Sequence, residues 1–251
     1  MHNIGYEPRW YRNQLHTSEL QSFSVSYQET DLWIGVDPTT YTPELQQTAQ
    51  RHLITLRHEL DAYIEQDAAF LHTLSPHQPL PDCPPIARQM CNAALLAGVG
   101  PMAAVAGAFS QVIARQLVSQ FALTELIIEN GGDIYLHSSQ YRRIAIFAGG
   151  SPLSNKLGLD IDPSLAPLGI CTSSGTVGHS LSFGKADAVT ILAQDASISD
   201  SYATAIGNMI KDSVDIDAAL AYAATQSEIL GIVIIVGDRI GFQGNVKLIK
   251  V

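Results

Sequence analysis

The spacing of apolar residues predicts the first structural elements of the chain. Over residues 20–37, apolar side chains recur at every second position, as in half-buried strands. A polar interruption at 29–31 predicts two strands joined by a turn. The period then becomes helical. Thr42 and Pro43 suit an N-cap and a first helical position, and the pattern predicts one helix ending near Leu74.

A proline-rich segment separates this first part from the rest of the chain. Residues 75–85 contain five of the 12 prolines, which predicts an extended connector. Two apolar helices are expected after it, at about 85–97 and 101–121. The second is rich in Ala and Gly, so a neighbouring backbone or a flat ligand ring could approach it closely.

The second half alternates strands and turns before ending in two helices and a hairpin. Strands are predicted at 125–129, 133–137, 142–148, 168–172 and 187–193, and helices at 197–211 and 215–225. The last residues predict a buried strand, a tight turn and an edge strand. Strands at hairpin spacing with separate helices predict an α+β fold, with an antiparallel or mixed β-sheet and packed helices. We expect one domain over residues 1–251, with 75–85 as a subdomain connector.

Composition narrows the classes of partner. The 251 residues are 46% hydrophobic, enough for a full-sized core. Lys plus Arg is 14 and Asp plus Glu is 24, a net charge of -10, so nucleic acid is excluded as a partner. Only five residues are lysines, so an anionic ligand must be held mostly by other groups. Three cysteines without a CxxC pair indicate neither a disulfide framework nor a zinc ribbon.

One uncharged stretch raises the question of a membrane span. Residues 89–114 carry no charge, but they include Gln89, Asn92 and Pro101 among many small side chains. Such a stretch gains little free energy in a bilayer, so we expect buried helices and no membrane association. The first 15 residues have no apolar signal-peptide core, which predicts a cytoplasmic protein.

A tight turn between two predicted strands is the first candidate site. Glu129 and Asn130 are followed by Gly131, Gly132 and Asp133. Two adjacent glycines permit positive φ and can turn backbone N–H groups toward an anion. A plain β-hairpin with a Gly-Gly corner explains the same residues, so both interpretations stay open.

A hydroxyl-rich segment directly after a predicted strand is the second candidate. Thr172, Ser173, Ser174 and Gly175 lead toward His179. Hydroxyls and free N–H groups in such a turn suit a phosphate or a metal-bound ligand. A histidine with an ordinary pKa of about 6.5 suits a general base. The alternative is a Ser/Thr turn that ends the strand.

The third candidate lies near the start of a predicted helix. Asp200 and Thr204 are four positions apart, so they share a helix face. A carboxylate and a hydroxyl near a positive helix end suit Mg²⁺ beside phosphates. The alternative is a first-turn charge and a packed threonine.

Together and in this order, the three groups resemble the ApbE-type flavin transferase superfamily over about residues 98–212. Its GG(D/N)I hairpin is similar to 131–134, and its T-S-G loop to 172–175 with one extra residue. A following His matches His179, and the aDa-x-x-T-a helix motif is similar to 199–205. The N-terminal stretch looks more like a cytosolic branch of that superfamily.

The resemblance implies an ApbE-like, T-fold-related architecture that uses FAD and Mg²⁺ and passes FMN to a Thr or Ser hydroxyl of a target protein. It implies a metal bound by Asp200 and Thr204 with a backbone carbonyl near residue 171 or 172, and His179 as the catalytic base. The implied contacts to a flavin nucleotide or other phosphate ligand are Gly131, Gly132, Asp133, Thr172, Ser173, Ser174 and Gly175.

One departure keeps other functions open. The transferases follow their His with a D-P-x-T-G segment, whereas this chain has Ser-Leu-Ser-Phe-Gly at 180–184. A non-catalytic flavin- or phosphate-binding accessory protein in cofactor or sulfur metabolism is therefore the alternative. A third interpretation is an interaction protein in which the helices at 89–114 form a homo-oligomer interface.

Overall fold

The computed structural model describes residues 19–176 and 183–251. Within them the chain forms two antiparallel sheets and six α-helices, which confirms the predicted α+β class. The strands are β1 (Gln21–Tyr27), β2 (Thr30–Val36), β3 (Leu126–Asn130), β4 (Asp133–His137), β5 (Arg142–Ala145), β6 (Leu157–Ile161), β7 (Leu168–Ser173), β8 (Ala188–Ala193), β9 (Gly231–Val236), β10 (Arg239–Gly244) and β11 (Leu248–Lys250). The helices are α1 (Pro43–Gln66), α2 (Ala68–His72), α3 (Pro85–Ala97), α4 (Val105–Phe121), α5 (Ala196–Met209) and α6 (Ile216–Ala223).

The large sheet organises the molecule. Its eight strands lie in the order β1-β2-β3-β4-β7-β8-β9-β10, and each neighbouring pair is antiparallel. Period-two alternation sends side chains to two different cores. On β2, Ile34 packs with residues of α1, α3 and α4, whereas Trp33 packs with the small sheet on the other face. The helices therefore cover one face and the small sheet covers the other.

The first helix begins as predicted and ends earlier. Thr42 is its N-cap, and its hydroxyl accepts a hydrogen bond from the Leu45 N–H at 3.1 Å. The helix ends at Gln66 because Asp67 leaves helical geometry, with φ -131° and ψ 73°. A single helix to Leu74 was therefore wrong, and the short α2 follows the break.

The break at Asp67 anchors the proline-rich connector. The Asp67 carboxylate accepts a hydrogen bond from the Tyr63 hydroxyl at 2.7 Å and lies 2.7 Å from the His77 ring nitrogen. The Leu80 N–H donates to the same tyrosine at 3.1 Å. These contacts leave His77 half-buried.

The small sheet was missed in part. Its order is β11-β6-β5, and neither β6 nor β11 was predicted. Both are short, with five and three residues, so their period-two patterns are weak. Strand β10 is the predicted edge strand of the large sheet. Gly244, with φ 79°, then turns the chain toward β6.

The apolar helices meet only part of the requirement for a membrane span. In the described part of the chain, no single helix is long and apolar enough to cross a bilayer. Helix α3 and the helical stretch Pro101–Phe121 pass that test only as a pair bent by 102°.

Helices α4 and α5 approach each other through a glycine. A Cβ added at Gly107 of α4 would lie 2.3 Å from the carbonyl oxygen of Ala196, the first residue of α5. On the opposite side of Ala196, a Cβ at Gly169 of β7 would lie 2.4 Å from its Cα. The start of α5 is therefore enclosed by two glycines, and no side chain fits at either position.

We expect Gly107→Ala to lower the free energy of unfolding by about 2 kcal/mol, because overpacking a core costs about 1–3 kcal/mol. In an exposed helix the same change would raise the free energy of unfolding by about 1 kcal/mol. The sign of the measured change therefore tests whether Gly107 is in contact with α5. Chemical denaturation measures it. Gly150→Ala is the control, because its added Cβ meets nothing within 4 Å. If Gly107→Ala stabilised the protein, or if both variants lost the same stability, the contact would be contradicted.

Candidate functional site

The β3–β4 turn uses both of its glycines in positive-φ conformations. Gly131 has φ 68° and Gly132 has φ 103°, and together they form a two-residue hairpin loop. The Gly132 N–H donates to the Glu129 carboxylate at 2.8 Å. This turn amide is therefore committed to an acid of the same chain. From the sequence, Glu129 was named beside this turn but was assigned no role. The signal in the sequence was an acid within an apolar strand, and in the structure this acid is fully buried.

Asp133 and Asp200 form a buried pair of acids. Asp133 pairs with Cys171 across β4 and β7, and both acids are at least nine-tenths buried. Burial, and then the charge of Asp200, raises the pKa of Asp133 well above its ordinary value. Burial also raises the pKa of Asp200, to about 7, against the lowering effect of backbone N–H groups at Gly107 and Ala106. Two acids far apart in the sequence thus meet in one poorly solvated place.

The first turn of α4 holds the Asp200 carboxylate. The Gly107 N–H donates to Asp200 Oδ2 at 2.9 Å. Helix N-termini carry partial positive charge, so this contact stabilises the ionised carboxylate. The Asn130 side chain donates to the Ala106 carbonyl at 3.2 Å, and the Ser110 hydroxyl donates to the carbonyl of Asp133 at 3.2 Å. Helix α4 therefore ties the β3–β4 turn to α5.

The small residues of α4 have a clear use. Sequence analysis expected them to admit a backbone or a ligand ring. In the structure, Gly107 admits the backbone of α5. Predicting that this helix end would bind an acid from α5 was beyond the sequence, because the two residues are 93 positions apart.

The hydroxyl-rich segment sends its side chains in different directions. The Thr172 hydroxyl is hydrogen-bonded to that of Thr190 at 2.9 Å, on the face of the sheet away from Cys171. Ser173 lies toward α5, with its hydroxyl 3.5 Å from where Gly207 would carry a Cβ. Thr172 can therefore offer its backbone to a ligand beside Asp200, whereas Ser173 can also offer its hydroxyl.

Two groups in the following turn are also engaged. The Gly175 N–H donates to the Ala186 carbonyl at 2.9 Å. The Ser174 hydroxyl accepts from the Thr176 N–H at 3.1 Å. Like Gly132, Gly175 therefore has its N–H committed to its own chain.

Three glycines stack this turn against the end of α5. A Cβ at Gly175 would lie 2.2 Å from the Gly184 carbonyl oxygen, and one at Gly184 would lie 1.9 Å from that of Gly207. The stack brings the segment after β7 close to α5. His179, the predicted base, lies outside the described residues.

The described donors at this site suit a hard cation. Thr204 is half-buried one helical turn after Asp200. Burial raises the pKa of the Cys171 thiol well above its ordinary value, so the thiol is protonated in the metal-free protein. Among the described residues, no group of three or more His, Cys, Asp or Glu could hold a metal. A cation here would therefore need hydroxyl or carbonyl oxygens besides carboxylates, which is the donor chemistry of Mg²⁺.

Comparisons with known proteins give a consistent result. A family model described as AbpE bacteria matches residues 12–238. The UPF0280 protein of Methanococcus vannielii is 40% identical over 232 residues, which cover 91% of this chain and 92% of that protein. The UPF0280 protein of Methanocella arvoryzae is 41% identical over 194 residues, covering 77% and 78% respectively.

Solved structures share the architecture. The flavin transferase ApbE from Vibrio cholerae aligns with a TM-score of 0.53 at 16% identity, covering 91% of this chain and 97% of that one. The apo form of the Pseudomonas stutzeri flavinyl transferase ApbE aligns with a TM-score of 0.56 at 12% identity, covering 89% and 93%. Identities this low establish the fold alone, and they confirm the ApbE-like architecture expected from the motifs.

We expect Asp133→Asn to stabilise the protein in metal-free buffer at pH 8. The raised pKa of Asp200 means that, from pH 3.8 to about 7, the folded protein binds more protons than the unfolded chain. Stability therefore falls as pH rises through that window. One unit of pKa is worth about 1.4 kcal/mol, so removing one acid should gain at least about 1 kcal/mol at pH 8.

The stability that Asp133→Asn gains should be smaller at pH 5, where the two acids are already partly protonated in the folded protein. Thermal unfolding at both pH values measures it, with Glu59→Gln on the exposed face of α1 as a matched control. A loss of stability at pH 8, or a gain independent of pH, would refute repulsion between the two acids.

Proposed function

This chain belongs to the family described as AbpE bacteria, and we propose that it is a Mg²⁺-dependent, FAD-using protein that transfers FMN to a hydroxyl of a target protein. The observation that carries this proposal is the buried pair of Asp133 and Asp200, of which Asp200 is bound by the N-terminus of α4. Two acids that repel each other in a poorly solvated site would favour a divalent cation, and Asp200 would be the carboxylate that holds it.

Asp200 and Thr204 are the side chains that we assign to the metal, with a backbone carbonyl of residue 171 or 172. When bound, Mg²⁺ neutralises pyrophosphate oxygens and stabilises charge on the departing AMP. The protein's own part is to fix Asp200. The amide of Gly107 and the packing of α5 hold that carboxylate before any ligand arrives. Such preorganisation avoids reorganisation cost when the ligand binds.

The contacts that we assign to the ligand depend on which polar groups of the two turns already have hydrogen-bond partners within the chain. We assign flavin pyrophosphate to the turn of Gly131, Gly132 and Asp133 and to the segment 172–175. Because the amides of Gly132 and Gly175 are committed within the chain, phosphate oxygens would depend more on the Ser173 hydroxyl and on the metal. The scarcity of lysines points the same way, so we expect binding to depend strongly on Mg²⁺.

His179 is the residue that we assign as general base on the target hydroxyl, on the family resemblance alone. Histidine as a residue type titrates near neutral pH, which suits a general base. A deprotonated hydroxyl oxygen would attack the FMN phosphorus, and AMP would leave. The bond to the target forms as the pyrophosphate bond breaks.

A non-catalytic flavin-binding protein is the second candidate. It is favoured by the Ser-Leu-Ser-Phe-Gly segment at 180–184, which replaces the D-P-x-T-G of the transferases. Metal and ligand contacts would be the same, and transfer would be absent.

Flavin titration tests the metal assignment. We expect FAD to bind at least tenfold more tightly with Mg²⁺ than without it, measured by quenching of flavin fluorescence. Asp200→Asn should abolish this Mg²⁺ effect. Thr204→Val should weaken it about tenfold and Thr204→Ser should restore it, with Thr55→Val on the exposed face of α1 as control. Binding indifferent to Mg²⁺ and to Asp200→Asn would reject the assignment.

AMP release separates the two candidate functions. With FAD, Mg²⁺ and an extract of the producing cells, transfer should yield AMP and a protein band that stays fluorescent under denaturing conditions. His179→Ala should lose both products while keeping FAD binding. Mg²⁺-dependent FAD binding with neither product would reject transfer and favour the binding protein.

A further inference from the structure

A second cleft lies along α3, away from the pair of acids. It has a volume of about 680 Å³, within the roughly 300–1,000 Å³ range of small-molecule sites. Its apolar wall includes Leu96 of α3 and Ile198 of α5, and Gln89 and Asn92 add amide groups. Arg88 and Arg115 also line it. The cleft thus combines an apolar body with two guanidinium groups.

One acid, Asp195, lines the cleft together with the two arginines. Asp195 lies 4.0 Å from the nearer guanidinium nitrogen of Arg115. Its carboxylate already accepts hydrogen bonds from the Gln111 side chain at 2.5 Å and from the Ser197 N–H at 2.9 Å, as the N-cap of α5. Asp195 therefore offsets part of the charge of Arg115, and the lining still holds two cationic side chains to one acid.

Each arginine has one contact through its guanidinium group and keeps further N–H groups of that guanidinium available. Arg115 is 55% exposed, and its guanidinium carbon lies 5.9 Å from the centre of the Tyr135 ring. Arg88 donates one N–H to the Pro81 carbonyl at 2.9 Å, which leaves further donors of its five. Both side chains can therefore present N–H groups to a ligand in the cleft.

The cleft is separate from the site of the acid pair. Ile198 and Asp200 are two positions apart on α5, which turns them about 200° from each other around the helix. Arg115 is eight residues beyond Gly107 on α4, a rise of about 12 Å. The cleft therefore opens on another side of α5.

We propose that this cleft is a second ligand site, which binds a small organic anion with an oxyanion head and an apolar body. Arg88 and Arg115 hold the oxyanion, because guanidinium groups match carboxylate and phosphate oxygens. The body lies against Leu96 and Ile198. The protein as a whole carries a net charge of -10. Within it, this cleft places two positively charged guanidinium groups where an anionic ligand can reach them.

Calorimetric titration with three naphthalene probes tests the site. They are 1-naphthoate, 1-naphthyl phosphate and the uncharged 1-naphthalenemethanol. At least one acid should bind with a Kd below about 1 mM, and the alcohol at least tenfold more weakly. The tighter of the two acids identifies the head group as carboxylate or phosphate. Arg88→Gln combined with Arg115→Gln should weaken acid binding at least tenfold.

Two controls keep the result specific. Arg239→Gln on the exposed edge strand should leave acid binding unchanged. The double variant should keep the Mg²⁺-dependent FAD binding of the wild type, and FAD should not displace the acid. The proposal is overturned if neither acid binds, if the alcohol binds equally well, if the double variant binds unchanged, or if FAD competes.

Discussion

The contact between the first turn of α4 and the start of α5 is the constraint on which the site depends. Gly107 allows the two backbones to touch, and its N–H reaches the Asp200 carboxylate at 2.9 Å. The same helix end fixes the β3–β4 turn through Asn130 and Ser110. Because one glycine sets both the helix spacing and the position of the acid, packing and chemistry cannot vary independently here.

Backbone N–H groups stabilise two of the buried acids of this protein. Helix N-terminal amides stabilise Asp200, and the Gly132 amide stabilises Glu129. A protein with so few lysines thereby stabilises buried acids in part through its backbone. The stabilisation is incomplete at the pair of acids, where burial still raises the pKa of Asp200 to about 7. That residual instability is what a cation would relieve.

Local signals predicted most elements, and long-range contacts explain what they missed. Thr42 and Pro43 predicted the start of α1 correctly, because capping depends on neighbouring residues. At the end of α1, Asp67 leaves helical geometry and contacts His77 ten residues later, a contact that no local pattern contains. Likewise, motif spacing singled out Asp133 and Asp200, but the engaged amide of Gly132 and the orientation of Thr172 are results of folding.

The glycine stack of 175, 184 and 207 limits how the protein can change through evolution. In each close approach, the atom that an added Cβ would meet is a backbone carbonyl oxygen. A smaller side chain elsewhere cannot make that space, so a substitution at Gly184 has no simple compensating partner. A genetic selection for suppressors of such a variant should therefore recover only reversion to glycine at position 184, whereas neighbouring surface positions should accept other residues.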